Sequence, residues 1–229
     1  MKPQIVIFDV NETLTDMEPM RGRFEEVGLS GEQMGTWFAS VLRDGFALTA
    51  AGGFAEFGRI AADVLKEMGA GDEAVSHVLK GFTELRVHPD VPEGMRLLRE
   101  DGIRLFTMTN GAAAMTEGIL RREGLSDLVE ATLDVSGPRA WKPARAAYEY
   151  AAGQAGVRPD QALLVAVHPW DIDGAQRAGL SGAWLERRGT PYPSVMSAPR
   201  LSAPDLVSLA RLITEQGRSP RPGRTPSPS

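Results

Sequence analysis

The sequence predicts an α/β fold: a parallel sheet core covered by helices on both faces, with a block of helices inserted after the first strand. Three observations carry this. Residues 5–9 (IVIFD) are a continuous apolar run ending in a carboxylate, the pattern of a strand buried on both faces with its C-terminal end toward a site. Residues 31–85 place apolar side chains at three- and four-residue spacings, with little strand signal. Beyond Pro92, short apolar runs alternate with helix-length stretches, which implies βαβ units and a parallel sheet.

The elements follow in order. After the first strand, the helical block rests on Trp37, Val41 and Leu42, then on Phe54, Phe57, Ile60, Ala61, Val64 and Leu65, and then on Val75, Val78, Leu79 and Phe82. Next come a helix over 93–100, a strand over 104–108, a helix over 113–123 and a short strand near 131–135. A helix over 144–155, a strand over 162–167, a helix over 171–178, a strand over 182–185 and a closing helix over 203–216 complete the body. The expected organisation is a core of residues 1–15 and 90–216, a helical cap of residues 16–89 and a tail of residues 217–229. Ligands of open α/β sheets sit beyond the carboxyl ends of strands, so the residues just after Phe8, Met108 and Val167 are the candidates for a site.

Composition bounds the function classes. The 229 residues are 42% hydrophobic and 24% charged, ordinary for a globular chain that is one domain with a large insertion or two small domains. No apolar run approaches the roughly 18 residues that cross a bilayer, and the first residues show no signal-peptide pattern. A cytoplasmic protein without a membrane partner is expected. The absence of cysteine excludes a disulfide framework, a thiolate nucleophile and any zinc site built on Cys, so a metal would need carboxylates or His.

The formal charge is -5, and the last thirteen residues hold three arginines and no acid, which leaves the remainder at -8. A body that acidic is a poor nucleic-acid binder, and no nucleic-acid partner is expected. The tail carries four of the sixteen prolines and no large apolar residue, so disorder is the expectation there.

Three strand ends and one loop deliver polar groups toward a common place. They are Asp9, Asn11 and Thr13 in DVNETLTD, Thr109 and Asn110 in TMTNG, Lys142 in WKPARAAY, and His168 and Asp171 in VAVHPWDIDGA. Each alone has a plain structural reading: a strand-end Asp caps a turn, TNG is a turn, Lys-Pro starts a helix, and Asp171 is an N-cap. Their order and spacing together are far more specific.

That constellation resembles the haloacid dehalogenase superfamily, and more closely its L-2-haloacid dehalogenase (type II) branch, over residues 4 to about 187. The resemblance implies a Rossmann-like core with a helical cap inserted after the first motif. It implies that Asp9 is a nucleophile that forms a covalent ester, which water then hydrolyses. Lys142 is implied to hold Asp9 and the developing charge, Thr13 to orient the nucleophile loop, and Asp171 to hold Lys142 and position the water. Thr109 and Asn110 stand where the family binds the substrate's negative atoms. Trp170 matches an aromatic near the family's active site, and Phe57 a cap aromatic lining its halide pocket; core packing is the alternative for both. Tyr148, six residues after Lys142, matches the family's K-P-x-x-x-x-Y pattern and is expected to support the site by a hydrogen bond.

Departures separate the subfamilies. Phosphatases of the superfamily resemble D-x-D-x-T, the second Asp protonating the leaving alkoxide; here that residue is Asn11, which cannot titrate. They also pair acids in the last motif to bind Mg2+, and the residue four before Asp171 is Val167. A leaving halide requires no proton, so both absences favour dehalogenation. Within the dehalogenase branch an Arg follows the cap tryptophan, where this chain has Phe38 after Trp37. Arg43, five residues on, lies on another face of the helix. His168 replaces a short polar residue, either donating a hydrogen bond toward halide, carboxylate or water, or packing beside Trp170. His77 and His88 read as surface residues without partners.

The expectation is therefore a hydrolase, a 2-haloacid dehalogenase acting on a small 2-substituted carboxylic acid without metal or cofactor. The rivals are a Mg2+-dependent phosphatase of small molecules and a non-catalytic binding protein of the same fold. Lys142 is the one cation expected at the site, assisted by the neutral donors Asn11, Thr109, Asn110 and His168. The apolar face of Val41, Leu42 and Phe46 would serve a homodimer or the cap core; periodicity does not separate them.

Overall fold

The computed structural model describes residues 2–187 and 189–217. The chain opens with β1 (Ile5–Phe8) and, after a tight turn, a two-residue strand β2 (Thr15–Asp16). Four helices follow, α1 (Met20–Glu26), α2 (Gln33–Ala50), α3 (Phe57–Glu67) and α4 (Asp72–Gly81). The chain returns through β3 (Arg86–Val87), antiparallel to β2 with Thr15 opposite Val87. The alternating part runs α5 (Val91–Glu100), β4 (Arg104–Thr109), α6 (Ala113–Arg122), β5 (Val129–Asp134), α7 (Arg145–Gln154), β6 (Ala162–Ala166), α8 (Pro169–Arg177), β7 (Ser181–Leu185), β8 (Leu201–Ala203) and α9 (Leu206–Gly217).

The six-stranded sheet has the order β5-β4-β1-β6-β7-β8, and every neighbouring pair is parallel. β1 lies between β4 and β6, so the chain order reverses beside it and a crevice opens beyond the carboxyl ends of these three strands. Alternation along β1 divides the core. Ile5 and Ile7 join the cluster shared with α7, α8 and the inserted helices, whereas Val6 and Phe8 join the cluster under α5 and α9. A strand buried on both faces reads as unbroken apolar sequence for this reason.

The inserted helices follow the apolar spacing. In α3 the buried residues are Phe57, Ile60, Ala61, Val64 and Leu65, one stripe of a 3.6-residue period. Trp37 of α2 is fully buried, its indole N–H donating to Ala61 O at 3.0 Å. Among the described residues no helix is long and apolar enough to cross a membrane.

Several details differ from the sequence reading. Helix begins at Met20 rather than near residue 31, because Met20 and Phe24 supply a short buried stripe of their own. The β2–β3 ribbon and the edge strand β8 are two or three residues long, too short to show a period. Gly217 ends α9 instead of opening the tail; residues 218–229, the rest of the tail expected to be disordered, lie outside the described residues. Val41 is buried within the chain and Leu42 and Phe46 are half-buried, the Phe46 ring meeting Trp170 edge-on at 5.0 Å, so this helix face contributes to internal packing.

Candidate active site

Three groups from different parts of the chain hold the carboxylate of Asp9, which follows β1: Thr13 from the next turn, Lys142 from the loop before α7 and His168 from just beyond β6. Lys142 Nζ donates to Asp9 Oδ1 at 2.8 Å, and the Thr13 hydroxyl donates to Oδ2 at 2.6 Å. His168 Nδ1 lies 3.3 Å from the same Oδ2. Thr13 Oγ1 also accepts the Val167 N–H at 3.1 Å, which ties the turn to the end of β6.

Lys142 has no exposed side-chain surface, and its ammonium is shared with Asp171 Oδ2 at 2.6 Å. The Tyr148 hydroxyl donates to Asp171 Oδ1 at 2.6 Å and reaches the Asp171 carbonyl at 3.0 Å. Tyr148 thus makes the hydrogen bond expected of it. Two buried anions flanking one buried cation satisfy the rule that buried charges are paired and hydrogen-bonded.

The loop carrying Lys142 is set from three sides. Asn110 Oδ1 accepts the Lys142 N–H at 2.9 Å, and Asn110 Nδ2 donates to the Lys142 carbonyl at 3.2 Å. Trp141 stacks on Phe57, donates its indole N–H to Ala55 O at 2.9 Å, and lies so close to Gly45 of α2 that a Cβ there would meet the ring at 2.3 Å. On the core side, a Cβ at Gly174 would lie 2.5 Å from Pro143. Thr109 Oγ1 accepts the Gly111 N–H at 2.9 Å, which leaves its O–H as a donor.

The electrostatics follow from burial and pairing. Burial pushes the Asp9 carboxyl up, but the Lys142 ammonium and the His168 ring outweigh it and hold Asp9 well below the usual carboxylate range. Burial would lower Lys142, yet Asp171 and Asp9 together raise it, so it stays an ammonium. Asp171 is raised, by burial first and by the like charge of Asp9, against the pull of Lys142. Burial, with Asp171 adjacent, pushes the Tyr148 phenol well above its ordinary value.

His168 departs from the expected neutral donor. Its Nε2 lies 2.7 Å from Glu12 Oε2, so the ring stands between two carboxylates. Burial disfavours its charged form, but hydrogen bonds and charge from Asp9 and Glu12 prevail, and its pKa is pushed up to about 9. The site therefore has a second cation, and Lys142 is not alone. The ring also stacks on Trp170 at 5.1 Å, as the packing reading of His168 expects, and its hydrogen bonds go to the protein's own carboxylates.

His88 and His77 are corrected as well. His88 is half-buried, its ring Nε2 3.1 Å from the Glu12 carbonyl, and burial together with the nearby Arg187 lowers its pKa. His77 bonds Glu26 at 2.6 Å. His88 finds its partner because the chain following β3 folds back on the first loop, and His77 because α4 packs beside α1.

Two cavities flank this cluster. One of about 680 Å³ is lined by Glu12, Phe38, His168, Trp170 and Arg187, among others. Another of about 330 Å³ is lined by Phe57, Asn110 and Met115, among others. Phe38 and Phe57 are each nearly buried and yet line a cavity, one apiece. Asn11 is half-buried, its amide nitrogen 3.7 Å from where a Gly111 side chain would start. Arg43 pairs with its neighbour Asp44 at the surface, away from the cluster.

Glu12, Trp141 and Arg187 are the residues sequence reasoning passed over. Glu12 and Trp141 each adjoin a motif residue, which is the only signal that pointed to them. Arg187 Nε donates to the Thr13 carbonyl at 3.2 Å, and its guanidinium makes a two-pronged pair with Asp90.

Comparison with known proteins identifies the family and the fold. The sequence model of haloacid dehalogenase-like hydrolases matches residues 3–179. The chain is 28% identical over 132 residues to a haloacetate dehalogenase H-2 of Moraxella sp. (strain B), covering 58% of this chain and 59% of that one. It is 24% identical over 216 residues to an (S)-2-haloacid dehalogenase of Pseudomonas sp. (strain YL), covering 91% and 93%. A solved L-2-haloacid dehalogenase superposes with a TM-score of 0.87 at 27% identity, over 93% of this chain and 99% of its own. With a family match reaching from β1 through α8, and a parallel core that carries the inserted helices after its first strand, the chain belongs to the haloacid dehalogenase-like hydrolases.

Proposed function

We propose that the protein is a dehalogenase of small 2-halocarboxylic acids that works through Asp9 without a metal, with helices α1–α4 acting as a cap over the core. The observation that carries this reading is the shared ammonium: Lys142 Nζ stands within 2.8 Å of Asp9 and 2.6 Å of Asp171. It keeps Asp9 ionised in a buried place and supplies the positive charge there.

An Asp9 oxygen attacks C2 of the substrate, and the carbon–halogen bond breaks with its electron pair on the halide. The product is an ester of Asp9. Water then attacks the ester carbonyl carbon, releasing a 2-hydroxy acid and regenerating the carboxylate. The remaining N–H of Lys142, the second amide N–H of Asn110, the Thr109 hydroxyl and the Asn11 amide are the donors for the substrate carboxylate and the halide. Phe38, Phe57 and Trp170 line the route with apolar surface. Asn11 cannot donate a proton to an alkoxide and Val167 cannot ligate a cation, which favours a halide over a phosphate ester.

The test is halide release from 2-fluoro-, 2-chloro- and 2-bromoacids, with an Asp9→Asn variant as control. Release by the native chain and none by the variant is the expected result. The reading falls if no acid is turned over, or if p-nitrophenyl phosphate is hydrolysed with Mg2+ and not with EDTA.

A further inference from the structure

We propose that His168 is the general base of ester hydrolysis in this chain and that Glu12 is the residue that positions it. The inference rests on the dehalogenase reading above and assigns its second half-reaction.

A base that activates water must have an open lone pair close to the Asp9 carbonyl. Asp171 is poorly placed for this: Lys142 holds its Oδ2 and Tyr148 its Oδ1, both at 2.6 Å, and it has no exposed surface against which a water could sit. His168 reaches the cavity instead. Its Nδ1 is 3.3 Å from Asp9 Oδ2, and its ring lines the cavity of about 680 Å³.

Glu12 is an independent pointer. Its φ is 63°, a left-handed conformation that a side-chain-bearing residue rarely adopts and that persists where the surroundings impose it. Here His88 holds the Glu12 carbonyl while the Glu12 carboxylate reaches His168 Nε2 at 2.7 Å. A carboxylate on one ring nitrogen, with the other aimed at the reacting group, fixes the tautomer and orients the ring.

The groups that face His168 are Asp9 from the end of β1, Glu12 from the following loop, Phe38 of α2 and Trp170 of α8. Asp16, Glu18, Arg21, His88 and Arg187 line the same cavity.

The steps balance as follows. In the resting enzyme His168 is an imidazolium donating to two carboxylates, and it cannot accept a proton. Alkylation of Asp9 turns one of those anions into a neutral ester as the halide departs. One of the two charges holding the proton is then gone, and Nδ1 releases it to the solvent of the cavity. Neutral Nδ1 next takes a proton from a water whose oxygen bonds to the Asp9 carbonyl carbon. The ester C–O bond breaks, and the departing alkoxide takes the water's other proton. His168 is again an imidazolium and Asp9 a carboxylate; one water has been consumed, and one halide and one proton released.

The experiment is rapid-quench halide release with intact-protein mass spectrometry, using chloroacetate and both enantiomers of 2-chloropropionate. His168→Gln should release one halide per enzyme in a burst, turn over roughly 100-fold or more slowly thereafter, and carry the carboxyalkyl group on Asp9. Glu12→Gly should fold at least as well, since glycine suits the left-handed backbone, and should still show the burst and slow hydrolysis; a purely structural Glu12 would leave hydrolysis unchanged. Glu12→Gln should move the rise of hydrolysis with pH to lower pH, because an anion beside the ring is removed.

Loss of alkylation and hydrolysis together in His168→Gln, with no adduct, overturns the assignment, and so does unchanged turnover. If the native chain releases no halide and forms no adduct, the dehalogenase reading itself fails and this inference falls with it.

Discussion

The Thr13 hydroxyl joins Asp9 to the backbone after β6: it donates to Asp9 Oδ2 at 2.6 Å and accepts the Val167 N–H at 3.1 Å. One rotor therefore sets the nucleophile's angle and satisfies a buried amide. Thr13→Val keeps the shape but removes both bonds. It is expected to lower stability by about 1–3 kcal/mol, and to slow halide release with little change in substrate affinity. Urea unfolding and a kcat-against-KM comparison check this.

Removing Lys142 leaves two buried carboxylates without their counter-charge. Lys142→Met should abolish alkylation of Asp9 and destabilise the fold by about 3–5 kcal/mol at neutral pH. The loss should shrink as pH falls, because Asp9 and Asp171 can then be buried as neutral acids. Unfolding midpoints at several pH values test both parts.

Stability should itself depend on pH with two opposite limbs. His168 has a folded pKa of about 9 against an ordinary 6.5, so it contributes stability fully below about pH 6.5 and loses it as pH rises toward 9. The size is on the order of 3 kcal/mol. Asp9 is shifted the other way, so its contribution is present above its ordinary 3.8 and is lost in acid. Unfolding free energies in urea across this range should show the alkaline decline in the native chain and a flatter profile in His168→Gln.

Gly45 lies where α2 meets Trp141, the residue before Lys142. A Cβ there would stand 2.3 Å from the indole, so Gly45→Ala should cost about 1–3 kcal/mol by overpacking and should slow halide release by moving the lysine loop. Gly35, on the same helix, has nothing within 4 Å of a Cβ. Gly35→Ala should be neutral or stabilising by up to about 1 kcal/mol. Melting temperatures of the two variants make the comparison.

Much of the site could be read along the chain because parallel strands put their C-terminal residues at one edge. Asp9, Thr109 and His168 each follow or close an apolar run, and β1, β4 and β6 are neighbours. The Lys142 pairing could be expected only from the motif resemblance, since a Lys-Pro helix start has no apolar period to place it. The β2–β3 ribbon was hidden by its length.

Local periodicity determined the α/β class and the position of the inserted helices, and the order and spacing of the motifs made Asp9, Lys142 and Asp171 candidates. What only the tertiary structure decided are relations between side chains far apart in sequence. Glu12 and His168, separated by 156 positions, meet at 2.7 Å, and Asp9 with Glu12 pushes the pKa of the ring up to about 9. His88 gains a partner, and of the face of Val41, Leu42 and Phe46 the first is buried while the other two are half-buried. The physical reason is common to all three: a pattern shows which side of an element is apolar, but the charge of a buried histidine and the partner of an apolar face depend on what packs against them.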